Sequence, residues 1–205
     1  MVSFCYYNQM TYAVVFGISA GIIDLISFYP YIRSILRGET KPQRAAFAIW
    51  SLVGILTLFS YFASGARDTI WLVLVYSVMQ LFVFGLSFKY GMGGLSKLDI
   101  SCMFLALLGA TLWIVTRNPL TALYCSIFIE TLGFIPIIRK VFMMPETENT
   151  PAWTLSIIAA ILNLFAITTL SLQIALYPFV MVIAEGIVVT LLFLSRVKRK
   201  DPLKK

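Results

Sequence analysis

The amino-acid sequence predicts an all-α membrane protein with seven transmembrane helices, arranged as two parallel three-helix repeats joined by a linker helix. Three observations lead to this prediction: the composition, the number of long apolar runs and a duplicated stretch. Apolar residues make up 60% of the 205 residues and charged residues only 12%, and the mean hydropathy is +0.91. A water-soluble domain needs much more charge to cover its surface.

Apolar runs long enough to cross a bilayer, about 20 residues each, occur seven times. They cover residues 10–30, 45–64, 69–88, 98–116, 119–138, 152–172 and 174–195. Only a weak break at Ser171-Leu172-Gln173 separates the last two. Because a single crossing at about 1.5 Å per residue is much shorter than the stretch 152–195, we expect two spans there. The N-terminus lacks a basic region typical of a signal peptide, so we expect the first span to direct insertion.

The basic residues predict the orientation of these spans. The loops 31–44, 89–97 and 139–151 and the tail from Arg196 onward contain 14 of the 16 Lys and Arg residues, and seven spans place these segments on one side. The opposite side has Arg67 and Arg117. The positive-inside rule therefore predicts a cytoplasmic C-terminus and an external N-terminus. The net charge of +7 then requires no nucleic acid, and we expect the basic tail, 197–205, to contact anionic lipids.

A duplication predicts how the spans are grouped. Residues 24–33 and 130–139 each place an acid first, then a Phe four, a Pro six and an Arg nine residues later, and a shift of 106 gives ten identities over 22–61. We therefore divide one membrane domain, 1–205, into three parts. Repeat one covers about 10–88, the linker helix 98–116 and repeat two 119–196. Because one span separates the repeats, both enter the membrane from the same side.

This 3+1+3 arrangement, with Pro30 and Pro136 near the cytoplasmic ends of equivalent helices, resembles the SWEET, SemiSWEET and PQ-loop transporters. The stretches 40–50 and 145–153 are similar to uncharacterised small bacterial members of the clan, which implies a bacterial plasma membrane. The resemblance implies a substrate site on the third helix of each repeat. SWEET proteins typically use Asn there, whereas this chain has Gln80 and Glu185, so a sugar substrate is not implied.

The acids inside the spans are the first candidates for a substrate or proton pathway: Asp24, Glu130 and Glu185. A carboxylate facing lipid costs at least ~2.5 kcal/mol at the centre of a helix. We therefore expect all three to face the bundle interior or a water-filled cavity. The alternative is that each only ties neighbouring helices together through a hydrogen bond.

Further candidates for the same pathway are Gln80, Tyr76, Asn163 and Trp50. A shift of 105 superposes Gln80 on Glu185, and Tyr76 shares a helix face with Gln80. Gln80 could instead make a simple helix–helix contact. The resemblance implies a substrate contact for Trp50, whereas tryptophan also serves as an interface anchor. Pro30 and Pro136 could act as hinges or simply end their helices.

These features favour a small-solute transporter that works by alternating access around a midplane cavity. Carboxylates without a cation in the spans point to proton coupling, or to a cationic or polar substrate, because desolvation disfavours their charge. The alternative is a receptor or sorting protein on the same scaffold without transport. We expect no enzyme, since histidine is absent and no nucleophile–base pair or phosphate loop occurs, and no cofactor or metal, since the three cysteines match no metal spacing. We expect as partners a small-molecule substrate and membrane lipids, and leave a homo-oligomer open.

Overall fold

The described part of the computed structural model, residues 2–64, 70–92, 95–116, 118–168 and 172–200, is helical and contains no strand. Each apolar run overlaps one helix, which confirms the all-α class. The helices are α1 (Val2–Leu36), α2 (Arg44–Ser64), α3 (Ile70–Tyr90), α4 (Lys97–Thr116), α5 (Pro119–Met143), α6 (Thr150–Phe165) and α7 (Leu172–Lys200), and a 3₁₀ turn, Pro145–Thr147, precedes α6. Ser171, Arg67, Arg117 and the last five residues of the basic tail lie outside the described residues.

Among the described residues, four helical segments are long and apolar enough to cross a membrane: Tyr12–Leu36, Ile70–Tyr90, Lys97–Thr116 and Ala175–Val197. The segments Arg44–Phe59 and Thr150–Phe165 are apolar but shorter. The outside of the bundle carries many exposed large apolar side chains, among them Phe62 at 80% and Phe142 at 79% exposure. Such a surface is unfavourable in water and favourable in hydrocarbon. The fold is therefore compatible with a multi-pass membrane protein.

The helix boundaries differ from the apolar runs at several places. Helices α1 and α5 continue past Pro30 and Pro136 to Leu36 and Met143, so neither proline ends its helix. Helix α6 ends earlier than predicted, at Phe165, where the N–H of Ala166 donates to the Asn163 and Leu164 carbonyls. Its start is fixed by Asn149, whose side chain accepts a hydrogen bond from the Ala152 N–H at 2.9 Å.

The packing of the helices has the same pattern in both halves of the chain. Helix α3 contacts both α1 and α2, and α7 contacts both α5 and α6. Between the halves, α1 packs against α6 and α2 packs against α5. Helix α4 packs against α5 and, less extensively, against α2. The six helices other than α4 therefore enclose the centre of the bundle.

The connections α1–α2, α3–α4 and α5–α6 meet at one end of the bundle. The Lys41 N–H donates to the Thr147 carbonyl at 3.1 Å, and the Met92 N–H donates to the Pro42 carbonyl at 3.3 Å. The Gln43 side chain donates to Asp99 at 3.1 Å, which attaches the start of α4. This end carries the basic residues of the loops, and we call it the basic end.

A buried ion pair strengthens the basic end. Lys140 of α5 and Glu148 are 2.6 Å apart, and both side chains are almost completely buried. Lys140 also donates to the carbonyls of Lys41 and Thr147, and the Trp153 indole donates to Glu148 at 3.0 Å. The Lys140–Glu148 pair therefore links the α1–α2 connection to α5 and α6.

Candidate functional site

A cavity lies between helices α1–α3 and helices α5–α7. Its volume is about 480 Å³ when the space at its open side is included. Each helix except α4 contributes to the wall, and about half of the lining side chains are aromatic. The lining residues are Ser27, Phe28, Tyr31, Phe47, Trp50, Tyr76, Gln80, Glu130, Phe134, Ala152, Trp153, Ser156, Met181 and Glu185.

Trp50 is the centre of the aromatic wall. Its ring centroid lies 5.3 Å from that of Phe47, 4.9 Å from that of Phe134 and 6.4 Å from that of Trp153. Its indole N–H donates to the backbone carbonyl of Glu130 at 3.1 Å. A glycine at position 133 makes this approach feasible, because a Cβ there would lie 2.6 Å from Trp50 Cδ1. The neighbouring rings and the hydrogen bond to the Glu130 carbonyl therefore hold the indole in one orientation.

A chain of hydrogen-bonded polar groups extends from Tyr76 to Asp24 next to the aromatic wall. The Tyr76 hydroxyl donates to Glu185 Oε1 at 2.7 Å. The Ser156 hydroxyl lies 3.2 Å from Glu185 Oε1 and 3.1 Å from Asp24 Oδ1. The Ser27 hydroxyl donates to the Asp24 backbone carbonyl at 2.6 Å. These contacts connect α3, α7, α6 and α1 through side chains that are buried or, for Ser156, partly buried.

Glu130 also lines the cavity, with the Gln80 side chain within hydrogen-bonding reach. Glu185 is close enough to interact electrostatically with both Glu130 and Asp24. One oxygen of each of these three carboxyl groups, and the side-chain oxygen of Gln80, has no hydrogen-bond partner in the part of the chain that the structure describes. An unpaired buried acceptor costs about 1–3 kcal/mol. The cavity therefore presents several acceptors that a ligand, water or a proton could satisfy.

Five of the sequence-predicted residues line the cavity: Trp50, Tyr76, Gln80, Glu130 and Glu185. Asp24 lies behind the wall, one hydrogen bond away through Ser156. The burial predicted for the three acids is observed, since Asp24, Glu130 and Glu185 are 0%, 2% and 2% exposed.

The other sequence-predicted residues lie elsewhere. Asn163 is buried near the end of α6, outside the residues that line the cavity. Pro136 belongs to a separate recess at the basic end, which Arg139 and Lys140 also line. The Pro30 carbonyl accepts a hydrogen bond from the Asn149 side chain at 3.4 Å. None of these three residues contacts the cavity in the described structure.

Nine lining residues were not among the sequence-predicted candidates, and four of them form the aromatic wall or the polar chain: Ser156, Phe47, Phe134 and Trp153. The shift of 106 contained a signal for them, because it superposes Trp50 on Ser156, Phe47 on Trp153 and Phe28 on Phe134. All six of these side chains line the cavity. Applying the shift of 106 to the neighbours of the acids, as well as to the acids themselves, would have identified these lining residues.

The described residues contain no group of three or more His, Cys, Asp or Glu side chains that could hold a metal ion. Comparisons of the chain with protein-family models, with curated proteins and with solved structures return no match. The function is therefore inferred from the arrangement of the residues. A cavity with aromatic walls and a few convergent polar groups is typical of a small-ligand site.

Proposed function

We propose that the chain is an integral membrane protein with seven spans that transports a small solute by alternating access between two three-helix bundles. The observation that carries the proposal is the position of the cavity. It lies between α1–α3 and α5–α7, and both sets supply carboxyl or amide groups and aromatic side chains to it. Sites of secondary transporters typically lie at such a repeat interface.

The internal register supports the division into two repeats. Residues 106 positions apart line the same cavity, and residues 105 apart do so on α3 and α7, where Gln80 corresponds to Glu185 and Tyr76 to Met181. The contacts of α3 with α1 and α2 are matched by those of α7 with α5 and α6. Helix α4 supplies no lining residue, as expected of a linker. These features are the ones that the resemblance to the SWEET and PQ-loop clan implies.

Contacts at the basic end support the proposal that this side of the cavity is closed by a gate. The hydrogen bond from Lys140 to the Lys41 carbonyl and that from the Lys41 N–H to the Thr147 carbonyl join the first half of the chain to the second at that end. Access from this side requires these contacts to separate as the two bundles rock. Pro30 and Pro136 lack a backbone donor inside α1 and α5, so each is a point at which its helix can bend.

The carboxyl groups support coupling to protons. Asp24, Glu130 and Glu185 are buried, and no basic side chain contacts them in the described structure. A carboxyl group in this setting can exchange a proton at a lower cost than it can remain charged. With the basic end on the cytoplasmic side of a bacterial plasma membrane, protons would enter from the external side.

The proposal is tested with purified protein in two steps. First, thermal stability is measured across pH against a panel of sugars, amino acids, vitamins and amines, because a ligand that binds the folded state alone stabilises it. The ligands that bind are then tested for flux into liposomes that contain the protein. Saturable flux that Glu185→Gln reduces and Glu39→Gln leaves unchanged supports transport. Binding without flux contradicts it and favours a receptor.

A further inference from the structure

The charges around the cavity are unbalanced, and this imbalance indicates the chemistry of the ligand. Glu130 and Glu185 line the cavity, and Asp24 lies directly behind it. In the described structure, Lys140 is the only basic residue classed as buried, and Glu148 already holds it. The described part of the protein therefore supplies no positive charge to the carboxyl groups of the cavity. Acidic groups this close repel one another in a medium of low dielectric constant.

The unpaired polar atoms indicate what is missing. Glu130 Oε1, Glu185 Oε2 and Gln80 Oε1 have no hydrogen-bond partner among the described residues, and their residues are 2%, 2% and 5% exposed. All three atoms are hydrogen-bond acceptors. A ligand that completes the site must therefore carry N–H or O–H donors.

Three of the four donors on the aromatic lining residues are already used by the protein itself. The Trp50 indole donates to the Glu130 carbonyl, the Trp153 indole donates to Glu148, and the Tyr76 hydroxyl donates to Glu185. The fourth, the Tyr31 hydroxyl, lies close to Glu148 and has no hydrogen-bond partner among the described residues. A sugar needs donors as well as acceptors, because each hydroxyl group also accepts hydrogen bonds. A protonated amine has donors only and matches the acceptors of this cavity.

The aromatic side chains favour the same ligand. Phe47, Trp50, Phe134 and Trp153 form one connected group of rings next to the carboxyl groups. The face of an aromatic ring attracts an organic cation, and this attraction increases where water is excluded. The rings also provide apolar surface for the body of the ligand.

We propose that the cavity binds a monovalent organic cation, a protonated amine with an aromatic or branched apolar body. The ammonium group lies between Glu130 and Glu185, and the apolar body lies among the aromatic rings. This assignment deepens the proposed function, on which it rests for the role of the cavity. Transport of the cation is a separate step.

The experiment compares probes that differ in charge but little in shape. Binding of benzylamine, cyclohexylamine, benzyltrimethylammonium, benzyl alcohol and glucose to the full-length protein is measured by calorimetry and thermal shift. We expect saturable binding of the two amines. The quaternary ammonium probe has the charge but no N–H donor, so it should bind more weakly than benzylamine but still saturably, and benzyl alcohol and glucose should bind much more weakly than all three cations. Because this comparison uses the unaltered protein, it stands even if a variant fails to fold.

Variants then locate the binding site. Glu130→Gln and Glu185→Gln keep the shape and remove the charge, so each should weaken benzylamine binding about tenfold, the difference between a charge-assisted and a neutral hydrogen bond. Glu39→Gln, at an exposed acid outside the cavity, is the matched control. Phe47→Leu should weaken binding of benzyltrimethylammonium and leave that of benzyl alcohol unchanged.

Each outcome decides between the two proposals. Equal binding of benzylamine and benzyl alcohol, binding of glucose in preference to the cations, or absence of binding by all three cations overturns the assignment of the ligand. Flux of a neutral solute would then still support transport. Conversely, cation binding without flux into liposomes supports the assignment of the ligand and contradicts transport.

Discussion

Asp24 of α1 and Glu185 of α7 contact the same hydroxyl group, that of Ser156, at 3.1 Å and 3.2 Å. A serine hydroxyl has one proton to donate. If Ser156 donates it to one carboxyl group, the other can bond to the serine oxygen only by donating a proton of its own. The arrangement therefore fits two carboxyl groups that share one exchangeable proton. Glu130, which the sequence pairs with Asp24 by position, does not contact this hydroxyl.

The first prediction tests whether this shared proton drives transport. Asp24→Asn retains a group that can donate to Ser156 and removes the exchangeable proton. We expect the variant to fold, to bind ligand like the parent, and to lose accumulation driven by a pH gradient while downhill exchange persists. Thermal stability, calorimetry and flux into liposomes with and without a gradient measure these properties.

Ser156→Ala provides a comparison that removes the bridge itself. It should lower stability by about 1–3 kcal/mol, because two buried carboxyl groups lose a partner. Gradient-driven accumulation by Asp24→Asn at the level of the parent would show that coupling does not pass through this residue.

Much of the fold was predictable because apolar run length and polarity are local properties of the sequence. The seven helices coincide with the seven apolar runs, and the burial of Asp24, Glu130 and Glu185 follows from the cost of a charge in lipid. Helix ends were less predictable. Pro30 and Pro136 stand inside their helices, since packing at the basic end continues α1 and α5 beyond them.

The composition of the site was only partly predictable, because it depends on which helices meet. Ser156 is one serine in an apolar helix, and its role arises from the packing of α6 against α1 and α7. Asn163 is a more polar residue on the same helix, yet it lies outside the cavity wall. Polarity correctly predicted the burial of the acids, whereas the shift of 106 between the repeats would have indicated their neighbours.

The second prediction concerns the close approach of Gly133 to Trp50. Gly133→Ala should displace the indole and break its hydrogen bond to the Glu130 carbonyl, because the new Cβ would lie 2.6 Å from Trp50 Cδ1. Such overpacking costs about 1–3 kcal/mol, which outweighs the roughly 1 kcal/mol that alanine contributes to a helix relative to glycine. Thermal unfolding and tryptophan fluorescence measure the change.

Gly85→Ala is the matched control, since a Cβ at this exposed position of α3 meets nothing within 4 Å. It should be neutral or slightly stabilising. If both alanine variants are equally stable, then the contact between Gly133 and Trp50 does not constrain the site.

The third prediction concerns the ion pair at the basic end. Lys140→Met leaves Glu148 buried without its cation, which should destabilise the protein by about 3–5 kcal/mol. The double variant Lys140→Met/Glu148→Leu should recover part of this loss, because neither charge then remains buried. Thermal unfolding of the two variants tests the pair, and Lys97→Met, at an exposed lysine, serves as the control. A double variant less stable than Lys140→Met would contradict the argument.

The fourth prediction concerns orientation in the membrane. Single cysteines are placed in a background in which Cys5, Cys102 and Cys125 are replaced by serine. Asn118→Cys lies in the α4–α5 connection and should react with an impermeant maleimide in intact cells. Glu39→Cys lies in the α1–α2 connection at the basic end and should react only after the membrane is broken. A reporter fused after Lys205 should likewise be cytoplasmic. Labelling of both cysteines in intact cells would exclude the seven-span arrangement.

The last prediction concerns competition between the organic cation and protons for the same carboxyl groups. A carboxyl group that has taken up a proton is neutral and no longer attracts an ammonium group, so protons and the cation compete for the same acids. Lowering the pH should therefore weaken cation binding, by up to about tenfold per pH unit when one proton replaces one cation. Benzyltrimethylammonium is the appropriate probe, because its charge does not change with pH. Its Kd, measured by calorimetry from acidic to mildly alkaline pH, should rise as the pH falls.

Competition of this kind also fixes the direction of coupled transport. If a single cluster of acids accepts either a proton or the cation, then the two cross the membrane in opposite directions, and an inward proton gradient drives the cation out of the cell. Liposomes loaded with benzyltrimethylammonium should lose it faster when the external medium is acidic. Asp24→Asn should flatten this dependence, because the proton shared through Ser156 is absent, whereas Glu39→Gln should preserve it. A Kd that is constant across pH, or that falls as the pH falls, would contradict competition and the exchange mechanism together.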